Sequence, residues 1–259
     1  MNEFLNFLPY FLLLFVRLTS FFVVAPLFSM RGVPNQFKIG LAFFITLIVS
    51  STMPMDELIQ LDFTYILLIL KEFIIGIALG FVAAMILYTV QIAGSFIDFQ
   101  MGFAIANVVD PQTGTQVPII GQFKYMLALL FLLTTDGHHL MINGVMQSVK
   151  LLPVGTLQWT TNMGSVSQFI VLLFIEVFII ALQIAIPIVG ALLLVDVALG
   201  FMAKTVPQLN IFVIGFPLKI FLGFVLLLLT MPVFFYLLSN LFEKLLTSMS
   251  ELVKLLGGP

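Results

Sequence analysis

Charged side chains inside apolar runs are the first place to look for chemistry in this chain. Arg17, Glu72, Glu176, Asp196 and Lys219 all lie in such runs. A lone charge at bilayer depth costs about 2.5–3.5 kcal/mol on insertion scales, so each needs a partner or a wet cavity. Asp196 lies twelve residues before Gln208 and Lys219 eleven after it, across the polar break from Lys204 to Asn210. In a helical hairpin turning near Gln208 the two stand at about one height, and the spacing predicts that they pair. Arg17 is the natural counter-charge for Glu72 or Glu176, and the spacing does not choose between them. Glu176, Gln183, Pro187 and Gly190 recur at steps of seven, four and three, which puts a polar, small stripe on one helix face, turned toward protein or water. Gly76, Gly80 and Ala84 lie four apart, so another helix can approach that face closely, and Glu72 joins it one turn earlier. His138 and His139 follow Gly137, but neighbouring residues on a helix point about 100° apart and do not chelate one ion together without further ligands. No metal and no cofactor are expected. No GxxxxGK[ST] loop, GxSxG elbow or HExxH pair occurs, so nothing points to an enzyme.

The composition says where these residues must work. Of 259 residues 61% are hydrophobic and 8% charged, with a mean hydropathy of +1.22, far from the usual balance of soluble domains. This is a membrane-type composition, and membrane lipid is part of its surroundings. Ten basic and twelve acidic residues are scattered singly, with no patch to neutralise phosphates, so nucleic acid is excluded as a partner. The absence of cysteine removes disulfides and thiolate metal sites. The N-terminus MNEFLNFLPYF carries an acid where a signal peptide would be basic, and is expected to be retained.

Six apolar runs can be drawn, each near the roughly 20 residues that a helix needs to span a bilayer. They are Phe4–Phe28, Phe37–Met53, Tyr65–Gly94, Phe123–Val149, Phe169–Gly200 and Ile211–Phe242. Pro9, Pro26, Pro187 and Pro232 interrupt or flank them, and a proline ring removes one helical hydrogen bond. The expected fold is therefore all-α, a membrane-type protein of about six kinked apolar helices. Arg31, Lys38, Lys124 and Lys204 fall on one side of an alternating topology, and Lys71, Lys150, Lys244 and Lys254 on the other, so the positive-inside rule does not orient it. The acidic connection Met53–Asp62 reads as a solvated turn. The connection Ser95–Gln122 is long, yet it holds apolar patches such as Val117–Ile120, which marks it as functional rather than disordered. Leu241–Leu256 repeats apolar residues at helical spacing and reads as an amphipathic extension of the last helix.

Over nearly its whole length the chain resembles the FliR family of flagellar biosynthetic proteins and its counterparts in type III secretion injectisomes. The likeness lies in Arg17 followed by Ala25, Pro26, Phe28 and Pro34, in the MGF and VDP pieces around Gly102 and Asp110, in Gly137 with His138, and in the block Leu192–Gly223. That last block is also similar to the two-helix partner FliQ at Pro187, Gly200, Gln208, Asn210, Pro217 and Lys219, with Gly200 as a packing position. The resemblance implies a FliP-like portion, residues 1–168, followed by a FliQ-like helical hairpin, residues 169–259. It implies one copy in an export gate of FliP and FliQ subunits around a narrow pore, with FlhB and FlhA as further partners and unfolded flagellar proteins as cargo. The place implied is the bacterial inner membrane, at the flagellar basal body. The resemblance also assigns a pore plug to Asn107, Val108, Val109, Asp110, Pro111, Gln112, Thr113, Gly114, Thr115, Gln116, Val117 and Pro118. The residue types suit a plug, since Asp110 with Pro111 starts a turn, Gly114 permits positive φ, and Thr113, Thr115 and Gln116 can hydrogen-bond an irregular backbone. The rival reading is a stand-alone proton-coupled secondary transporter with Glu176 and Asp196 as proton carriers. Such folds usually carry matched inverted halves, whereas the two parts here are unequal.

Overall fold

The computed structural model describes residues 2–30, 32–52, 59, 61–103, 118–156, 163–208 and 210–257. Among the described residues there are seven helices and no strand: α1 (Asn2–Val24), α2 (Asn35–Thr52), α3 (Phe63–Met101), α4 (Ile119–Thr134), α5 (Gly137–Leu151), α6 (Met163–Thr205) and α7 (Ile211–Leu255). Runs this apolar leave the backbone no outside hydrogen-bond partners, so each segment must satisfy its own N–H and C=O groups, and only the helix does that within one segment. Four helices are long and apolar enough to cross a membrane, and α4 with α5 makes a fifth candidate as one broken span.

The run expected as one helix over Phe123–Val149 is broken into two helices, α4 and α5. Helical geometry stops at Thr135 (φ −97°, ψ 15°) and Asp136 (φ 55°, ψ 22°), the one non-glycine residue with positive φ among those described. Asp tolerates the left-handed region better than most residues, and Asp-Gly is a turn signal that the surrounding apolar average conceals. The C-terminal extension does join the last helix, which continues unbroken to Leu255. Helix α3 ends on a Schellman cap. Gly102 adopts φ 90°, its N–H donates to the Phe99 carbonyl at 3.2 Å, and the Phe103 N–H donates to the Asp98 carbonyl at 3.0 Å.

The chain forms two compact units, residues 1–86 with 136–173 and 243–259, and residues 87–135 with 174–242. In the first, Leu13, Leu14, Leu18, Phe21 and Phe22 of α1 are fully buried, and Phe11 meets Phe43 of α2 edge-on at 5.4 Å. In the second, Gly94 of α3 lies directly against the Gly121 backbone of α4. There Phe131 of α4 packs on Phe235 and Phe242 of α7, with ring centroids 5.3 and 5.8 Å away.

Candidate functional site

The first unit buries a charge cluster that begins from two glycines. A Cβ on Gly76 would run into Ser20 Oγ and the Arg17 carbonyl, and one on Gly80 would sit 2.8 Å from Val24 Cβ. The bare face of α3, with Ala84 also buried, thus lets α1 approach closely. That approach brings Arg17 against Glu72, one turn before Gly76, and both are wholly buried. Arg17 Nε donates to Glu72 Oε2, Nη1 donates to Ser148 Oγ at 3.2 Å, and Nη2 donates to the Leu152 carbonyl at 2.9 Å. The choice that sequence left open falls on Glu72, while Glu176 lies half-buried on α6. Lys71 joins the cluster unforeseen. Its Nζ lies 3.4 Å from Glu72 Oε1 and donates to the carbonyls of Pro153 at 2.9 Å and Thr156 at 2.7 Å. Two cations thus share one carboxylate, and the Ser148 hydroxyl and three backbone carbonyls accept from them as well. Chemically this is a clamp on the 152–156 segment, with no open face for a substrate.

The second unit carries two polar sites. Lys219 Nζ lies 2.9 Å from Asp196 Oδ1, and Gln100 Nε2 donates to Asp196 Oδ2 at 2.8 Å. The structure brings Asp196 and Lys219 together and adds Gln100, which the sequence placed in the Ser95–Gln122 connection and which lies instead in the last turn of α3. The pair is not deeply buried: the Asp196 side chain is 44% exposed and that of Lys219 16%. Gln183 is exposed, and no described atom lies within 4 Å of a Cβ placed on Gly190 or Gly200, so within this chain those two faces stand open. The second site is a bracket. Both carboxylate oxygens of Asp98 accept from the Ile120 N–H at 3.1 Å, and Oδ2 also accepts from the Gly121 N–H at 3.1 Å. Pro118, the N-cap residue of α4, has no side-chain cap to offer, so Asp98, 22 positions before Ile120, supplies it. The expected plug residues Asn107–Val117 lie outside the described residues, and only Pro118 falls within them.

The outer faces of the long helices are apolar. On α6 exposed apolar residues run from Ile170 to Met202, and on α7 from Phe212 to Tyr236. Glu176, Gln183 and Asp196 punctuate the first of these stretches.

The chain matches the family model described as bacterial export proteins, family 1, over residues 8–245. It is 47% identical to the flagellar biosynthetic protein FliR of Bacillus subtilis (strain 168) over 259 residues, 99% of each chain. It is 32% identical to the FliR protein of Escherichia coli (strain K12) over 240 residues, 92% of this chain and 90% of that one. To the FliR protein of Pectobacterium carotovorum subsp. carotovorum it is 31% identical over 258 residues, 99% and 97% of the two chains. The chain belongs to the bacterial export proteins of family 1, the family of the flagellar biosynthetic proteins FliR.

Proposed function

We propose that this membrane component of the flagellar export apparatus forms part of the wall of a protein-conducting pore, together with FliP and FliQ subunits. Unfolded flagellar proteins would be the cargo, FlhB and FlhA the neighbours, and the inner membrane at the basal body the place. Helices α6 and α7 are the candidate FliQ-like hairpin. The observation that carries the reading is length. Helices α3, α6 and α7 have 39, 43 and 45 residues. At about 1.5 Å per residue they reach about 58, 64 and 68 Å, roughly twice the hydrocarbon thickness of about 30 Å. Exposed apolar residues on α6 alone extend from Ile170 to Met202, about 48 Å along the axis. Even at about 40° of tilt, the upper end of the usual range, that stretch projects to roughly 37 Å. Lipid alone does not cover it, so neighbouring apolar helices are the natural cover.

The test is purification of the full chain alone, and co-expressed with FliP and FliQ, followed by native mass measurement in mild detergent. The expected result is a hetero-oligomer on co-expression, and aggregation or rapid proteolysis of the chain alone. A monomeric, protease-resistant chain that ignores both subunits would overturn the reading.

A further inference from the structure

The break between α4 and α5 gathers three metal-ligating side chains that neither the clamp nor the apolar faces use. Asp136, His138 and His139 each offer one ligand atom, and these atoms all lie within 4.8 Å of one another. Three further observations bear on what the group is for. Asp136 is the N-cap residue of α5, with a left-handed backbone, and its carboxylate makes no capping hydrogen bond. The first-turn N–H groups are served by its backbone instead: the Asp136 carbonyl accepts from the His139 N–H at 3.0 Å and the Leu140 N–H at 3.3 Å. His138 Nδ1 is buried with no hydrogen-bond partner among the described residues, a state that a bound ion or water would relieve. The two imidazole rings lie with centroids 4.2 Å apart and planes inclined at 37°. The objection that adjacent histidines diverge is thus met by the position at the first turn, and the additional ligand it demands is supplied by Asp136.

We propose that Asp136, His138 and His139 form a binding site for a borderline first-row divalent cation of the Zn2+ type. Two imidazoles and one carboxylate are the donor set of three-ligand zinc sites, with water in the fourth position. The carboxylate offsets the positive end of the α5 dipole, which by itself disfavours a cation. Asp136 and His139 are exposed, so the ion has a path in. Bound there, it holds Asp136 in its left-handed conformation at the start of α5. This site does not depend on the pore reading.

The test uses the full chain in detergent, without a polyhistidine tag, stripped with EDTA and equilibrated with Zn2+ alone. Bound metal is counted by elemental analysis, and Co2+ serves as a spectroscopic probe of tetrahedral coordination. One equivalent per chain is expected, together with tetrahedral Co2+ bands in the visible. Asp136→Asn keeps a residue that tolerates left-handed backbone but removes the anionic ligand. It should leave the metal-free thermal midpoint unchanged and weaken Zn2+ by at least about tenfold, with His138→Gln and His139→Gln weakening it similarly. Absence of stoichiometric Zn2+ on the wild-type chain would overturn the proposal, and so would equal binding by Asp136→Asn and His139→Gln.

Discussion

Arg17 and Lys71 lean on a single buried carboxylate, so Glu72 is the residue whose loss should hurt the first unit most. Removing one side of a buried pair costs about 3–5 kcal/mol because the survivor stays desolvated, and here two cations would survive. Glu72→Ala should therefore abolish accumulation in membranes, measured by immunoblot of the membrane fraction. Accumulation at the wild-type level would refute the cluster as a stabilising element. Arg17→Lys keeps the charge but not the three-pronged donor set to Glu72, Ser148 and Leu152. At about 1.5 kcal/mol or more per lost charged bond, it should lower the denaturation midpoint clearly. The pair Asp196 and Lys219 belongs to another regime. At bilayer depth such a pair is desolvated, but 44% exposure of the acid puts it near the surface values of about 0.2–1 kcal/mol in the solubilised chain. A double-mutant cycle with Asp196→Ala and Lys219→Met measures this coupling. A value of zero would mean that contact and interaction are unrelated here, whereas a value rising severalfold in the assembled complex would mean that a partner dries the site.

At the scale of elements, glycines separate faces used within the chain from faces left for others. Gly76→Ala and Gly80→Ala push a methyl into the backbone or Cβ of α1, and overpacking of that kind costs about 1–3 kcal/mol. Gly190→Ala and Gly200→Ala meet nothing within 4 Å and replace a poor helix former by the best one, a gain of up to about 1 kcal/mol in the isolated chain. Thermal midpoints should accordingly fall for the first pair and hold or rise for the second. If the second pair instead impairs co-purification with FliP and FliQ, the open faces are docking surfaces. The Asp98 bracket is tested differently. Asp98→Ala removes the acceptor of the Ile120 and Gly121 N–H groups, a loss of about 0.5–2 kcal/mol by analogy with cap removal. Hydrogen exchange at those two amides should accelerate while the middle of α4, around Ala128, stays protected. Unchanged exchange at both would show that the N-terminus of α4 is held by something else.

At the scale of the whole molecule, the proposed pore wall must also seal. The segment Asn107–Pro118 is proposed as the seal on its residue types and on the family likeness, flanked by the capped end of α3 and the bracketed start of α4. Replacing it by a flexible linker of equal length should leave assembly intact and let small solutes leak through the membrane; intact assembly with unchanged permeability would remove the seal from the account. What sequence alone determined here is whatever one helix can encode. The apolar runs dictated an all-α membrane-type chain, because over runs of this length only the helix satisfies the backbone within one segment. Nearly equal spacing about Gln208, twelve residues against eleven, brought Asp196 and Lys219 to one height, and a four-residue step aligned Gly76, Gly80 and Glu72 on one face. Both results follow from the fixed rise and turn of the helix. The tertiary structure decided which faces meet, and with that the partners: Glu72 rather than Glu176 for Arg17, the carbonyls of Pro153 and Thr156 for Lys71, Gln100 for Asp196, and Asp98 for the amides of α4. These pairings span 22 to 96 positions, and their choice rests on the sum of many weak packing contacts that no local spacing carries.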